Sequence, residues 1–550
     1  MGETVVTIPG LIERAVRSHP GRDSFVFPEV RQTYAELERS ALDVARALRA
    51  LGVRRGDRVG AVMPNCLEFV HVMLGAALTG AVFVPINARL APRELAYVIA
   101  DSGMKVLVST DVVDEYVDFV ARLSEAFPAL AEAAAGETPP LPEAPAVEHV
   151  VMMGSRSAPG FVGREAFLRH GSAVSDEDVW ASARAVSPRD PYIMMYTSGT
   201  TSMPKGCPLS HESVVRLGVA VGEEAFQVTA EDRMWNPLPM FHVSAQAPMI
   251  GVLNAGAAYV SMTHFEPGAA LELIEKERAT LLYPAYPTLT GPMLAHPNYR
   301  PDTFRRARAL LTVGPPDVLR SYQKQLPYTT HISCYGSTEA GGVAVMGRLD
   351  DPLEERLTSG KPFAGVEIQV RHPETDALQP PGEPGVLYMR GYNLFLGYHN
   401  DPEKTAESFD ADGWFCTGDL ASIDEKGNLT FRGRVKDMLK VGGENVGCVE
   451  VEGYLQTHPD IVMAAVVGVP DPKYDEVPAA FLEVRAGSTL SEQDVIEFCR
   501  KGLAKYKCPR FVRFVEEWPM SATKVQKFRL REGLLDELGL TEGAQLAVQR

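Results

Sequence analysis

One segment concentrates hydroxyls, glycine and a lysine tightly enough to suggest chemistry. Residues 196–206 read YTSGTTSMPKG, directly after the apolar run 192–195. Thr197, Ser198, Thr200 and Thr201 surround Gly199, and Lys205 follows. Backbone N–H groups and hydroxyls in such a loop can bind phosphate oxygens, with the lysine as a mobile point charge. The same composition also describes a polar surface turn, since Ser, Thr and Gly are turn formers. A Walker-type loop is excluded, because it needs Gly before the lysine and Pro204 stands there. Three more segments set ionisable groups among glycines: CYGSTEAGG at 334–342, GWFCTGDL at 413–420 and GRVKDMLKVGGEN at 433–445. Thr523-Lys524-Val525-Gln526-Lys527 lies near the end. Between Cys499 and Arg531 there are ten Lys/Arg and two acids, Glu516 and Glu517. Such a run suits anionic ligands, and it equally describes a solvated basic face.

The elements that must hold these segments alternate strand and helix patterns. Residues 58–63 form a short apolar run, Asn65 is placed to cap a helix apolar almost all round, and 81–86 form a second apolar run. Residues 93–101 read as a helix and 105–109 as a strand. Strands alternating with buried helices imply a parallel sheet covered on both faces. The stretch 69–86, FVHVMLGAALTGAVFVPI, is about long enough to span a bilayer. Glu68, His71, two glycines and Pro85 flank or interrupt it, so it reads as a buried helix running into a buried strand. Residues 126–148, rich in Ala, Pro and Glu, read as a surface excursion. Between 383 and 434 the texture turns to short strands with Gly and Asp turns, a smaller antiparallel unit. After Arg434 helix and strand patterns alternate again, in an α+β domain of roughly 110 residues, an ordinary size for an independent unit.

The 550 residues carry 54 basic and 71 acidic side chains, a net charge of −17. That excess makes nucleic acid and anionic membrane surfaces poor partners, so local basic groups must draw in any anionic ligand. Seven cysteines are scattered without a CxxC pair, which fits reduced thiols in a cytoplasmic protein and offers no zinc or disulfide framework. Twelve histidines include no HExxH pair. The N-terminal residues lack a signal-peptide pattern, and Val6 breaks the myristoylation pattern.

The four segments and the Thr523–Lys527 stretch occur in the order and spacing of one family. From about residue 20 to 531 the chain resembles the adenylate-forming acyl-CoA synthetases, relatives of the luciferases and of peptide-synthetase adenylation domains. The resemblance implies an α/β and α+β fold. Its large multi-subdomain N-terminal adenylation domain, 1–435, would hold βαβ sheets and a small β-barrel-like unit. Its small mobile C-terminal domain would span 436–550. It implies a ligase that joins a carboxylic acid to ATP as an acyl-adenylate, and then passes the acyl group to CoA. That route splits one hard acylation into two easier steps.

The same resemblance assigns roles. Thr197, Ser198, Gly199, Thr200, Thr201 and Lys205 would hold the β- and γ-phosphates, and Glu339 would hold Mg²⁺, which prefers carboxylate and phosphate oxygens. Thr338 would contact the α-phosphate. Tyr335 would lie against adenine in a pocket shaped by Gly314, Pro315, Pro316 and Gly336. Asp419 and Arg434 would hold the ribose. Lys524 would bridge the incoming carboxylate and the α-phosphate. Lys436 matches the hinge, and Lys440, Gly442 and Gly443 would line the thiol's approach. The acyl pocket would involve His242, Val243 and Ser244, the stretch 283–287 and the loop 339–342, with His242 either orienting substrate or forming wall. No basic residue there suits a dicarboxylate, so the acid is expected to be aliphatic, aromatic or alicyclic, with fatty acid metabolism as one setting. Ser202 and Thr523 replace glycines usual in the family, and 519–524 is one residue short. Two rival readings are an enzyme loading a carrier-protein pantetheine and an inactive nucleotide-binding or scaffold homologue. A homodimer is compatible with the sequence.

Overall fold

The structure, a computed structural model, describes residues 5–197, 203–441, 444–521 and 524–540. Two seven-stranded sheets dominate the large N-terminal part. One runs in the spatial order Val162–Gly163, His149–Met152, Val106–Ser109, Arg58–Val62, Val82–Ile86, Pro191–Thr197, Lys205–Ser210. Its neighbours pair parallel except for the last two strands, which form a hairpin. The other runs Thr330–Ile332, Ala309–Thr312, Leu281–Ala285, Arg233–Trp235, Ala258–Val260, Asp23–Val26, Arg31–Thr33, again parallel but for the final pair.

Strands covered on both faces must be apolar along their length. Val82–Ile86 is buried throughout. The helix before it, Leu67–Thr79, is buried at twelve of its residues and ends at Gly80, whose φ of 76° a side chain would disfavour. The 69–86 run is thus a core helix feeding a core strand. No described helix is long and apolar enough to cross a membrane. Cys66, not Asn65, precedes that helix as its cap residue. Asn65 instead donates to the Leu238 carbonyl at 2.9 Å and accepts the Met240 amide at 2.7 Å, tying one sheet's loop to the other's. One apolar core joins both sheets, containing Phe25 and Tyr259 from one and Phe83 and Tyr192 from the other. The 126–148 stretch is exposed along much of 131–140 but is pinned by buried Phe127, Leu130, Leu141, Ala144 and Val147.

The expected antiparallel unit is a four-stranded sheet of Val366–Arg371, Gly385–Gly391, Phe415–Ile423 and Leu429–Arg434. Its first and last strands do not pair among the described residues, so it stays an open sheet rather than the expected barrel-like unit. A three-stranded sheet, Cys334–Tyr335, Val345–Met346 and Lys361–Pro362, lies between it and the large sheets in the chain order.

A single turn, Val435–Asp437, leads into the small part. There Met438–Val441, Glu444–Gly447, Ile461–Asp471, Asp475–Val484 and Phe511–Phe514 form one five-stranded sheet. Side-chain alternation sorts its strands onto two faces. Val466 packs with Cys448 and Cys499 on one side, while Ala465 and Val467 pack with Leu530 and Leu534 on the other. Helices Cys448–Leu455 and Glu492–Gly502 thus cover one face and Lys527–Glu537 the opposite one.

Candidate active site

Thr197 ends its strand opposite Lys205 in the hairpin register, and its hydroxyl faces the Lys205 carbonyl at 3.5 Å. The loop between them, with Ser198, Gly199, Thr200 and Thr201, lies outside the described residues. Lys205 Nζ stands 3.8 Å from Asp401 Oδ2 and 5.3 Å above the Tyr398 ring. The Tyr398 hydroxyl in turn donates to Glu339 Oε1 at 3.1 Å. Burial and the Glu339 charge both push the Tyr398 phenol up, which keeps it a donor. Backbone bonds hold this strip in place: Phe395 N–H to the Glu339 carbonyl, Leu396 N–H to Pro208 and His399 N–H to Gly206, at 2.8 to 2.9 Å. Beneath it, burial pushes the Cys207 thiol well up, with Glu339 adding in the same direction.

Glu339 sits on a tight turn that starts at Tyr335. A side chain on Gly336 would run into the Gly342 carbonyl, so the chain can double back only with glycine there. Gly342 N–H bonds the Ser337 carbonyl at 2.9 Å, and Gly341 N–H bonds the Thr338 carbonyl at 3.1 Å. Tyr335 is buried, with its ring 5.9 Å from that of Phe431. Its hydroxyl donates to Asp419 Oδ2 at 2.5 Å. Burial, then Asp419, holds the Tyr335 phenol well above its usual range. Arg434 faces Asp419 in the strand register and brings Nε to 3.3 Å from Oδ1. Asp419 is itself only 6% exposed while Arg434 reaches solvent, an arrangement in which a bound polyol could share the carboxylate. Gly314 follows the strand Ala309–Thr312, and Pro315 and Pro316 open the helix Pro316–Gln325, where proline loses no needed hydrogen bond.

His242 precedes the helix Val243–Ala255. The Val243 carbonyl would lie 3.1 Å from a methyl on Gly342, so the 242–244 segment abuts the 339–342 loop. Ser244 Oγ is buried and has no partner among the described residues. Tyr283 is 1% exposed. Ala285 takes a left-handed φ of 59°, with Tyr286 N–H reaching back to the Pro284 carbonyl at 2.7 Å. Pro287 lies 3.8 Å from the position of a Gly314 methyl, which brings this stretch beside the Gly314–Pro316 turn.

In the small part, Lys440 is exposed on its strand and its N–H bonds Glu476 at 3.2 Å. Lys436 lies in the connecting turn, and Lys524 pairs with Ser521 in a two-residue ladder; both are described by backbone alone. Gly442 and Gly443 lie outside the described residues. Three residues of this neighbourhood escape sequence reasoning: Tyr398, Asp401 and Gly453, the last packed against Pro315. The GYHND run at 397–401 was the only signal for the first two, and it carries no recognisable spacing. Among the described residues no group of three or more His, Cys, Asp or Glu could hold a metal ion.

Comparison with known proteins identifies the family. Residues 12–399 match the AMP-binding enzyme family, and 450–524 match the AMP-binding enzyme C-terminal domain. The chain is 34% identical over 543 residues to the 3-[(3aS,4S,7aS)-7a-methyl-1,5-dioxo-octahydro-1H-inden-4-yl]propanoyl:CoA ligase of Rhodococcus jostii, covering 97% of this chain and 99% of the relative. It is 31% identical to the mitochondrial medium-chain acyl-CoA ligase ACSF2 of Mus musculus, covering 97% and 88%. The crystal structure of the anthranilate CoA ligase AuaEII in complex with anthranoyl-AMP superposes with a TM-score of 0.83 at 25% identity, covering 97% of this chain and 98% of that one. With both family matches in chain order, and with relatives aligned over nearly the whole length, this chain belongs to the AMP-binding enzyme family.

Proposed function

We propose that the chain is an ATP-dependent carboxylate–CoA ligase that works through an acyl-adenylate. The observation that carries this reading is the linked pair of grips at one turn: Tyr335–Asp419–Arg434 on one side and Glu339–Tyr398–Lys205 on the other. The first suits a ribose and a flat base, the second a polyphosphate. In the first step a carboxylate oxygen attacks the α-phosphorus and the bond to the β-phosphate oxygen breaks, releasing pyrophosphate. Catalysis here consists of positioning and charge stabilisation more than protein nucleophiles. Thr338 contacts the α-phosphate, Lys205 and the 197–201 hydroxyls hold the outer phosphates, and Lys524 offsets repulsion between the two anions. In the second step the CoA thiol attacks the acyl carbon and the bond to AMP breaks.

A single carboxylate, Glu339, fits Mg²⁺ that keeps its remaining ligands from phosphates and water. The ion would supply charge neutralisation at the outer phosphates, while Tyr398 orients the Glu339 carboxylate. The reading puts the domain boundary at 435/436, and the turn Val435–Asp437 between the two parts supports it. The acid is apolar: the helix behind His242 is almost wholly buried, and relatives named for alicyclic, aromatic and medium-chain acids support that class. All seven cysteines are free, five of them buried, which supports a reducing compartment such as the cytoplasm.

The test is Lys524→Ala. Acid-dependent pyrophosphate release should fall by at least a hundredfold, while conversion of a presynthesised acyl-adenylate and CoA to the thioester stays within fivefold. Equal loss of both half-reactions would sink the assignment. A panel of short, medium, aromatic and alicyclic acids read by pyrophosphate release identifies the substrate class.

A further inference from the structure

Lys527 and Glu452 form an ion pair between two helices of the small part, Nζ to Oε1 2.5 Å, with side-chain exposures of 28% and 12%. The same carboxylate oxygen accepts the Val466 amide at 2.6 Å. Helix Cys448–Leu455, strand Ile461–Asp471 and helix Lys527–Glu537 therefore meet at one acceptor. Burial works against the Lys527 ammonium, but Glu452, with Cys448 and Asp437, outweighs it and keeps the amine charged. Helix energetics do not explain the lysine. It is the first residue of its helix, where a cation opposes the macrodipole. Stability explains the pair poorly too, since desolvation cancels much of what a buried ion pair gains.

What lies on either side of the pair is more informative. Lys527 lies one residue, Gln526, beyond the strand Lys524–Val525, whose hairpin is closed by Gln526 N–H on the Pro519 carbonyl at 2.7 Å. Glu452 belongs to the helix that follows directly on Glu444–Gly447, the ladder partner of the Lys440 strand. The first residue of that helix, Cys448, donates its thiol to the Asp437 carbonyl at 3.1 Å, in the turn between the two parts. The pair is thus a crossbar between the Lys524 edge, the Lys440 edge and the connecting turn.

We propose that the Lys527–Glu452 pair is a positioning device for adenylation, holding the Lys524 strand at a set height on the small part. This rests on the reading of Lys524 given above. Neither residue touches substrate; both act through the backbone that carries Lys524. A rotation that exchanges the two edges needs the small part to move as one body, and the crossbar supplies that stiffness.

The experiment uses the full chain and the variants Lys527→Met, Lys527→Arg and the double Lys527→Met/Glu452→Met, beside Lys524→Ala. It reads acid-dependent pyrophosphate release, thioester formation from presynthesised acyl-adenylate, and the urea midpoint. Lys527→Met should lower kcat for pyrophosphate release at least tenfold, with KM for ATP and thioester formation each within threefold of wild type. The double variant, with no lone buried charge, should regain the urea midpoint but keep the tenfold loss. Lys527→Arg should recover to within threefold. The proposal falls if the double variant regains pyrophosphate release together with stability, or if both half-reactions drop alike. Should Lys527→Met not fold, the double variant decides on the same criterion. If Lys524→Ala retains pyrophosphate release, the reading of Lys524 fails first. If it abolishes release while Lys527→Met leaves it unchanged, the positioning role alone fails.

Discussion

Pro315 and Gly453 meet across the seam between the large and small parts: a methyl on Gly453 would stand 2.6 Å from Pro315 Cβ and 2.8 Å from its Cγ. Those distances lie below any normal carbon contact, so the small part can dock in this pose only because residue 453 has no side chain. Pro315 belongs to the turn proposed to shape the adenine pocket, and Gly453 to the helix that carries Glu452. Gly453→Leu should therefore depopulate this pose. Rates for pyrophosphate release and for thioester formation, measured separately, should diverge: one falls at least fivefold and the other stays within twofold. Two unchanged rates would mean that neither step uses this docking.

The hinge makes a related prediction. Lys524 and Lys440 lie in different ladders of the small part, so under the roles proposed above, adenylation for Lys524 and thiol approach for Lys440, a single docked pose would serve both steps poorly. Lys436→Pro pins φ near −65° and restricts Val435. Pyrophosphate release should stay within threefold of wild type while acyl-CoA formation drops at least tenfold. Wild-type rates in both steps would put the rotation elsewhere.

Asp419 divides its two oxygens between Tyr335 and Arg434. If the carboxylate also receives the ribose hydroxyls, Asp419→Asn should raise KM for ATP at least tenfold, with a smaller effect on kcat. The penalty should shrink when ATP is replaced by its 2′,3′-dideoxy analogue. An undiminished penalty would separate Asp419 from the ribose.

Tyr398 gives the metal reading a graded test. Glu339→Gln should raise the Mg²⁺ concentration for half-maximal activity more than tenfold. Tyr398→Phe, which removes the hydrogen bond but no charge, should raise it about two- to fivefold, the size of one modest hydrogen bond. Superimposable Mg²⁺ titrations for wild type and Glu339→Gln would exclude that carboxylate as a ligand.

Acid stability follows from a buried histidine outside the site. His331 is fully buried, and burial, with Arg356 nearby, drives its pKa down to about 3 from an ordinary 6.5. Because the unfolded chain protonates first, the contribution is fully present above pH 6.5 and is lost as pH falls toward 3. Between pH 7 and 5 the loss is about 2 kcal/mol. His331→Leu should flatten the urea-midpoint dependence over that interval by a corresponding amount; an unchanged slope would show that the unfolded state does not protonate it preferentially.

The order of elements and the chemical segments were legible because they are local. Continuous apolar runs such as 82–86 announce buried strands by composition, and the capping box at Ser491 announces the helix Glu492–Gly502. Asn65 was misread for the opposite reason: an Asn before an apolar helix is an ordinary cap, and its true partners, Leu238 and Met240, are more than 170 residues away. Nothing local reports such a contact. The barrel-like expectation failed similarly, since closure depends on whether a first and a last strand meet.

By itself the amino-acid sequence determined the family, the parallel sheets, the small C-terminal unit and the residue types at the proposed nucleotide site, because motif spacing and side-chain periodicity are properties of the chain. Tertiary structure alone decided which groups act on one another. Tyr398 comes between Lys205 and Glu339 because a backbone strip crosses both, Tyr335 reaches Asp419 across 84 positions, and Lys527 meets Glu452 across a sheet. Charge and hydrogen bonding act over a few ångströms. Only the fold sets those distances, through the burial of residues far apart in the chain.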